Sequence, residues 1–229
     1  MNTTKTTPDI PIIYEDNHLL VIDKPAGVLS QEDHTGDPDV LTLCKQYIKK
    51  KYNKPGNVFL GLVHRLDRPV SGIMVIARTS KAASRISKQI RKRSVEKTYW
   101  ALVQGQTPVY GELVHFLAKN KRSNTVKAYS SPKKNAKESR LKYVTIKQNQ
   151  KYSVVEVNLI TGRPHQIRVQ MAKEGHPLWG DYRYGNPGKD GKNIALRAVK
   201  LEFSHPTTKE LMILKAPPPS GTPWNTFDY

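Results

Sequence analysis

Asp67 stands between two arginines in the segment His64-Arg65-Leu66-Asp67-Arg68-Pro69-Val70-Ser71-Gly72. An apolar run, Val58 to Val63, leads into it and a second, Gly72 to Ala77, follows. Such runs predict buried strands, and the Pro and Ser-Gly between them predict a tight connection. A carboxylate held at the mouth of that scaffold is placed as a nucleophile or general base would be. An isolated Asp beside arginines is more often a structural ion pair, but two later segments shift the balance. Lys97-Thr98-Tyr99-Trp100-Ala101-Leu102-Val103 puts a phenol at the start of a predicted strand, where a tyrosine usually just packs. Thr161-Gly162-Arg163-Pro164-His165-Gln166-Ile167-Arg168-Val169-Gln170 brings polar donors into the first turns of a predicted helix, with His165 and Arg168 one turn apart on one face. That string is too dense in functional groups for a plain helix start.

The elements that must position these groups can be read from periodicity and punctuation. Residues up to about Asp9 read as a disordered tail, and 10–229 as a single catalytic domain. Ile10 to Lys24 predicts two short strands around the turn Asp16-Asn17, ended by Lys24-Pro25-Ala26-Gly27. Val40 to Tyr52, with Leu41, Cys44 and Ile48 at helical spacing after Asp37 and Asp39, predicts a capped amphipathic helix. Ser80 to Arg93 predicts another, with Ala83, Ile86 and Ile90 inward. Tyr99 to Val103, Gly111 to Leu117, Leu141 to Ile146 and Tyr152 to Ile160 predict strands. Pro164 suits the first turn of a helix running to about Glu174, with Gly175 as its stop. Leu201 to His205 and Leu211 to Ala216 predict a closing hairpin. The sum is an α+β fold: a mixed, mainly antiparallel sheet with a few flanking helices.

Charge narrows the function. Lys and Arg total 38 against 19 for Asp and Glu, a net +19 over 229 residues. Internal pairing cannot neutralise that excess, so a polyanion is the expected partner. A membrane surface would attract it too, but no basic amphipathic helix with an aromatic face and no lipidation signal is visible, which favours nucleic acid. The bias peaks in 119–142, where Lys119, Lys121, Arg122, Lys127, Lys133, Lys134, Lys137, Arg140 and Lys142 face one carboxylate, Glu138. Its Asn, Ser and Pro content predicts an exposed, mobile insertion. The single cysteine, Cys44, excludes an internal disulfide or a cysteine zinc site and reads as core filler. No signal-peptide core or membrane-length run is present, so a soluble, cytoplasmic protein is expected.

His64 to Gly72 resembles the HRLDxxTSG signature of the RluA-type pseudouridine synthases. Lys97 to Ala101 is similar to that family's K-x-Y-x-A segment, Thr161 to Gln170 to its TGRxHQIRxH segment, Asp23 to Gly27 to its early KPAG turn, and Ile194 to Pro206 to its closing motif. The match covers nearly the whole chain in order. Val70, Gln170 and Arg197 depart from the usual Thr, His and His. No S4-like RNA-binding module is expected ahead of the catalytic part.

The resemblance implies the pseudouridine synthase catalytic fold and an isomerase that breaks the uridine N1–C1′ bond, turns the uracil and rejoins it through C5. It implies Asp67 as the catalytic carboxylate, Arg168 as the guanidinium that grips it, and Tyr99 as the ring against the uracil and a candidate base. Arg65 would occupy the space a flipped base vacates. No metal or organic cofactor is implied, the partner is a transfer or ribosomal RNA stem-loop, and a monomer is expected. The rival readings are a non-catalytic RNA-binding or ribosome-assembly factor on the same fold and a metal-dependent nuclease.

Overall fold

The computed structural model describes residues 9–120, 122–185 and 193–227. All but Asp9 of the expected tail, and Lys121 of the basic stretch, lie outside them.

The chain enters as a hairpin, β1 (Ile12–Glu15) and β2 (Leu19–Lys24), whose turn is closed by the Asp16 carboxylate accepting the His18 and Leu19 N–H groups at 2.7 and 2.6 Å. Helix α1 (Val40–Lys51) is capped by Asp39, which accepts the Thr42 N–H at 3.1 Å, and it buries Val40, Cys44 and Ile48. Strands β3 (Gly61–Leu62) and β4 (Ser71–Ala77) bracket Asp67. Helix α2 (Ser80–Arg91) is capped by Thr79 and buries Ala82 and Ile86, with Ala83 and Ile90 half-buried at the margin. Then come β5 (Glu96–Gln104), β6 (Tyr110–Asn120), β7 (Thr125–Tyr129), β8 (Lys137–Gln148) and β9 (Tyr152–Leu159). Helix α3 (Gln166–Lys173) and the hairpin β10 (Leu196–Ser204) and β11 (Leu211–Lys215) follow.

The eleven strands form one sheet in the order β1-β2-β4-β10-β5-β9-β8-β6-β7, with β11 on β10 and β3 on β4. Every pairing is antiparallel except β4 with β10. The expected mixed, mainly antiparallel sheet with flanking helices is what forms: α2 packs on β3 and β4, α3 on β6 and β7.

Two expectations change. The run Val58 to Val63 pairs only at Gly61 and Leu62, against Ala77 and Ile76. One edge of β4 is taken by β2, and β10 occupies the other edge at Ser71 and Gly72, so little of that edge is left. Within the basic stretch read as an insertion, the end of β6, all of β7 and the start of β8 belong to the sheet, with 130–136 connecting the last two. Its few apolar residues fall at every second position, so Val126, Ala128 and Leu141 are buried while Lys127 and Lys142 take the solvent side.

One row across the sheet positions the chemistry. Lys24 pairs with Gly72, Gly72 with Ala198, Ala198 with Tyr99, Tyr99 with Val157, and Val157 with Tyr143. Cross-strand partners share a face, so Lys24 and Tyr99 lie on the same side. Gly72 is obligatory in this row: its φ is +115°, and a Cβ there would lie 2.1 Å from the Ala198 carbonyl oxygen.

Candidate active site

Asp67 sits on a loop clasped from behind by the first hairpin. Lys24, with no exposed surface, donates through Nζ to the carbonyls of Pro25 (2.8 Å), Val28 (2.7 Å) and Arg68 (3.2 Å). The Ser30 hydroxyl donates to the Leu66 carbonyl at 2.7 Å and lies 3.2 Å from the Leu66 N–H. The Gly27 N–H donates to the Arg68 carbonyl at 2.8 Å, and the Val70 N–H closes the turn on the Asp67 carbonyl at 3.0 Å. Burial pushes the Lys24 ammonium down to about 7, with Arg68 adding to the effect and Asp67 opposing it. Its three carbonyl acceptors match the three hydrogens of the charged form. A neutral amine would turn its lone pair on one of these carbonyl oxygens, so the geometry favours the cation.

From the far side, α3 brings Arg168. Its Nε and Nη2 donate to the two Asp181 carboxylate oxygens at 2.7 and 2.8 Å, which leaves Nη1 to donate to Asp67 Oδ2 at 3.1 Å. Arg168 and Asp181 are buried, whereas the Asp67 side chain keeps 32% exposure and faces a cleft. Burial would weaken the guanidinium charge, but bonds to Asp181 and the two carboxylates raise its pKa well above the ordinary value. The fork is thus anchored on Asp181 and aimed at Asp67.

His165 adds a second contact. It holds the position before α3 in a left-handed conformation, φ 52°, strained for a non-glycine residue. Its Nδ1 lies 2.6 Å from the Tyr184 hydroxyl, which already accepts the Val126 N–H at 2.8 Å. The phenol proton is therefore directed to Nδ1, and the imidazole carries its hydrogen on Nε2, 3.7 Å from Asp67 Oδ2. Burial lowers the His165 pKa, helped by Arg168, Arg183 and Lys119 and opposed by Asp67, which favours the neutral ring.

Tyr99 is buried on β5, and burial together with the Asp67 charge raises its hydroxyl pKa. The cleft, about 80 Å³, is lined by Arg65, Asp67, Val70, Tyr99, His165 and Arg168 among others. The four residues singled out from sequence, Asp67, Tyr99, Arg168 and Arg65, thus come together. Arg65 is exposed. His64 does not join them: its Nε2 accepts the Val75 N–H at 3.0 Å, and burial with the nearby Lys97 charge lowers its pKa to about 3.

Sequence reasoning missed Asp181 and Tyr184 and gave no role to Lys24. The signals were present: Gly180-Asp181-Tyr182-Arg183-Tyr184-Gly185 concentrates polar groups between glycines, and Lys24 ends an apolar strand just before a Pro. The three departures have local partners. Val70 is packed in the core, and Arg197 pairs with Asp23 at 2.7 Å and donates to the Pro217 carbonyl at 3.0 Å. The Gln170 Nε2 lies within 3.2 Å of the Leu113 and Ser139 carbonyls and of His115 Nδ1, tying α3 to β6 and β8. Among the described residues, no group of three or more His, Cys, Asp or Glu could hold a metal ion, and no helix is long and apolar enough to cross a membrane.

A carboxylate gripped by a buried guanidinium, in a cleft it shares with a tyrosine, can meet positive charge that develops on a substrate, and the surplus of positive charge suits a polyanionic partner. Residues 18–173 match the RNA pseudouridylate synthase family. The chain is 33% identical over 213 residues to the uncharacterized RNA pseudouridine synthase YhcT of Bacillus subtilis, covering 93% of this chain and 70% of that one. It is 35% identical over 214 residues to the ribosomal large subunit pseudouridine synthase C of Vibrio vulnificus, covering 90% of this chain and 65% of that one. The structure of human RNA pseudouridylate synthase domain containing 1 superposes with a TM-score of 0.74 at 28% identity, over 93% of this chain and 85% of that one. The chain belongs to the RNA pseudouridylate synthase family, isomerases that act on RNA. It spans about two thirds of the length of the curated relatives it matches.

Proposed function

We propose that this chain isomerises uridine to pseudouridine in structured RNA, with Asp67 acting at C1′. The N1–C1′ bond breaks, the uracil turns, C5 bonds to C1′, the C5 proton leaves and N1 takes one up. Positive charge develops at C1′ during cleavage, and a carboxylate meets it either by covalent attack or by helping a glycal form after loss of the 2′ proton. The observation that carries this reading is the Asp181–Arg168–Asp67 chain ending in an open cleft. The Asp67 end of that chain is open to an entering substrate, while the Asp181 end is closed.

Tyr99 supplies a ring for the uracil to pack against. Because its hydroxyl holds its proton tightly, it serves as a base for C5 only if it passes its own proton on in the same step. The cleft is smaller than the roughly 300 Å³ of an ordinary ligand pocket, so an entering base must displace something. Arg65, exposed at its rim, is the side chain free to move into the stack the base leaves. The names of the ribosomal relatives favour ribosomal RNA over transfer RNA as the target. The same reading takes the enzyme as a cytoplasmic monomer that needs neither metal nor organic cofactor.

The test is tritium release from RNA carrying C5-labelled uridine. Asp67→Asn is expected to release none while binding RNA about as well as the wild type; normal release from that variant would remove Asp67 from the chemistry. Arg168→Ala is expected to lower turnover more than affinity, and an effect on affinity alone would make Arg168 a phosphate contact. The reading of a non-catalytic assembly factor would gain if the wild type released nothing from ribosomal or transfer RNA.

A further inference from the structure

A second cavity, about 310 Å³, adjoins the cleft and shares Leu159 and Arg163 with it. Its wall is aliphatic at Ile90, Val95 and Leu159, and its cations are Arg91, Arg93, Lys97 and Arg163, with no carboxylate in the lining. Basic side chains on a surface are usually just solvated. Lys97 is different: it is half-buried and, among the described residues, has no hydrogen-bond or ion-pair partner. Its ammonium rests against the chain at Gly162, where a Cβ would come within 3.9 Å of Nζ. A desolvated cation facing open space beside three guanidinium groups is an incomplete site for an anion.

We propose that this cavity seats a backbone phosphate of the RNA next to the target nucleotide, with Lys97 at its floor and Arg91, Arg93 and Arg163 around it. The inference rests on RNA being the substrate and adds where the strand runs: from the Asp67 cleft past Arg163 and over the turn at Gly162. Such a contact carries no sequence information but fixes the register of the strand on the protein. Burial lowers the Lys97 pKa, and a bound phosphate would raise it again, so binding and protonation reinforce each other.

The experiment uses fluorescence anisotropy of a labelled 15-nucleotide oligouridylate across a potassium chloride series. A phosphate contact to single-stranded RNA contributes about 0.7 to the slope of log affinity against log salt. Lys97→Met is expected to reduce the slope by about that amount. The Arg91→Gln, Arg93→Gln double variant changes only exposed side chains and so tests the same cavity if Lys97→Met does not fold; it is expected to reduce the slope too. Lys45→Met with Lys49→Met, exposed on α1 outside the lining, removes the same charge and is expected to leave the slope unchanged. Equal slopes for the cavity and α1 variants, or no change in either cavity variant, would overturn the proposal. The measurement does not depend on turnover. A wild type that bound RNA but formed no pseudouridine would sink the catalytic reading while leaving the cavity result to stand or fall by itself.

Discussion

At the scale of single residues, Asp67 depends on groups that never need to touch the substrate. Asp181 uses both its oxygens on Arg168, and only the remaining Nη1 reaches Asp67. Asp181→Asn is expected to let the fork rotate away and to cost roughly a hundredfold in turnover, the scale of a misplacement of about 1 Å, with RNA affinity nearly unchanged; single-turnover kinetics would show it. Tyr184→Phe removes the proton that fixes His165 and leaves the buried Val126 N–H without its partner. That variant is expected to lose about 1–3 kcal/mol of stability by denaturant titration. Asp67, Tyr99 and Arg168 were legible because each sits in a dense or unusual local string. Asp181 was not, because its importance comes from an arginine thirteen residues earlier along the chain, and pairing across a turn leaves no periodic trace.

At the scale of elements, the first hairpin acts as a bracket for the catalytic loop. Lys24→Met is expected to take this donor from the Pro25 and Val28 carbonyls, leaving Arg68 its Gly27 bond, and to cost about 2 kcal/mol. For a chain of this size that is a melting temperature lower by roughly 4–8 °C, and activity should fall further than stability because the Arg68 end of the Asp67 loop is then held only by its bonds to Gly27. Gly72→Ala is expected to fail altogether, since the added methyl has only the Ala198 backbone to move. Helix and strand types followed well from apolar spacing and, for α1, from the cap Asp39; the cap Thr79 of α2 was not read. The basic stretch did not, because Lys127 in β7 and Glu138, Arg140 and Lys142 in β8 stand between only a few buried neighbours, Val126, Ala128, Ser139 and Leu141, and so polar a composition hides the period of two.

At the scale of the whole molecule, acid should loosen the packing of α1 and α2 regions on the first hairpin. Burial would raise the Glu15 and Asp16 carboxyls, but hydrogen bonds more than offset it and both lie below their ordinary values of 4.5 and 3.8. As pH falls below about 4.5 the unfolded chain takes up protons first, so stability present at neutral pH is lost progressively with acid. Glu15→Gln should flatten that decline in melting temperature between pH 5 and 3, because its bonds with Tyr47, Lys51, Tyr52 and Arg78 would no longer titrate. The row that carries Lys24, Gly72, Ala198 and Tyr99 has a genetic corollary. Because side chains alternate along a strand, one extra codon between Glu96 and Tyr99 would swing the phenol to the opposite side of the molecule. Whole segments spliced into the connection between β7 and β8, by contrast, would leave that lineup untouched. Lineages carrying this enzyme are free to lengthen its tips, while its middle strands take an added residue only where a bulge, like the one at Val199 of β10, absorbs it.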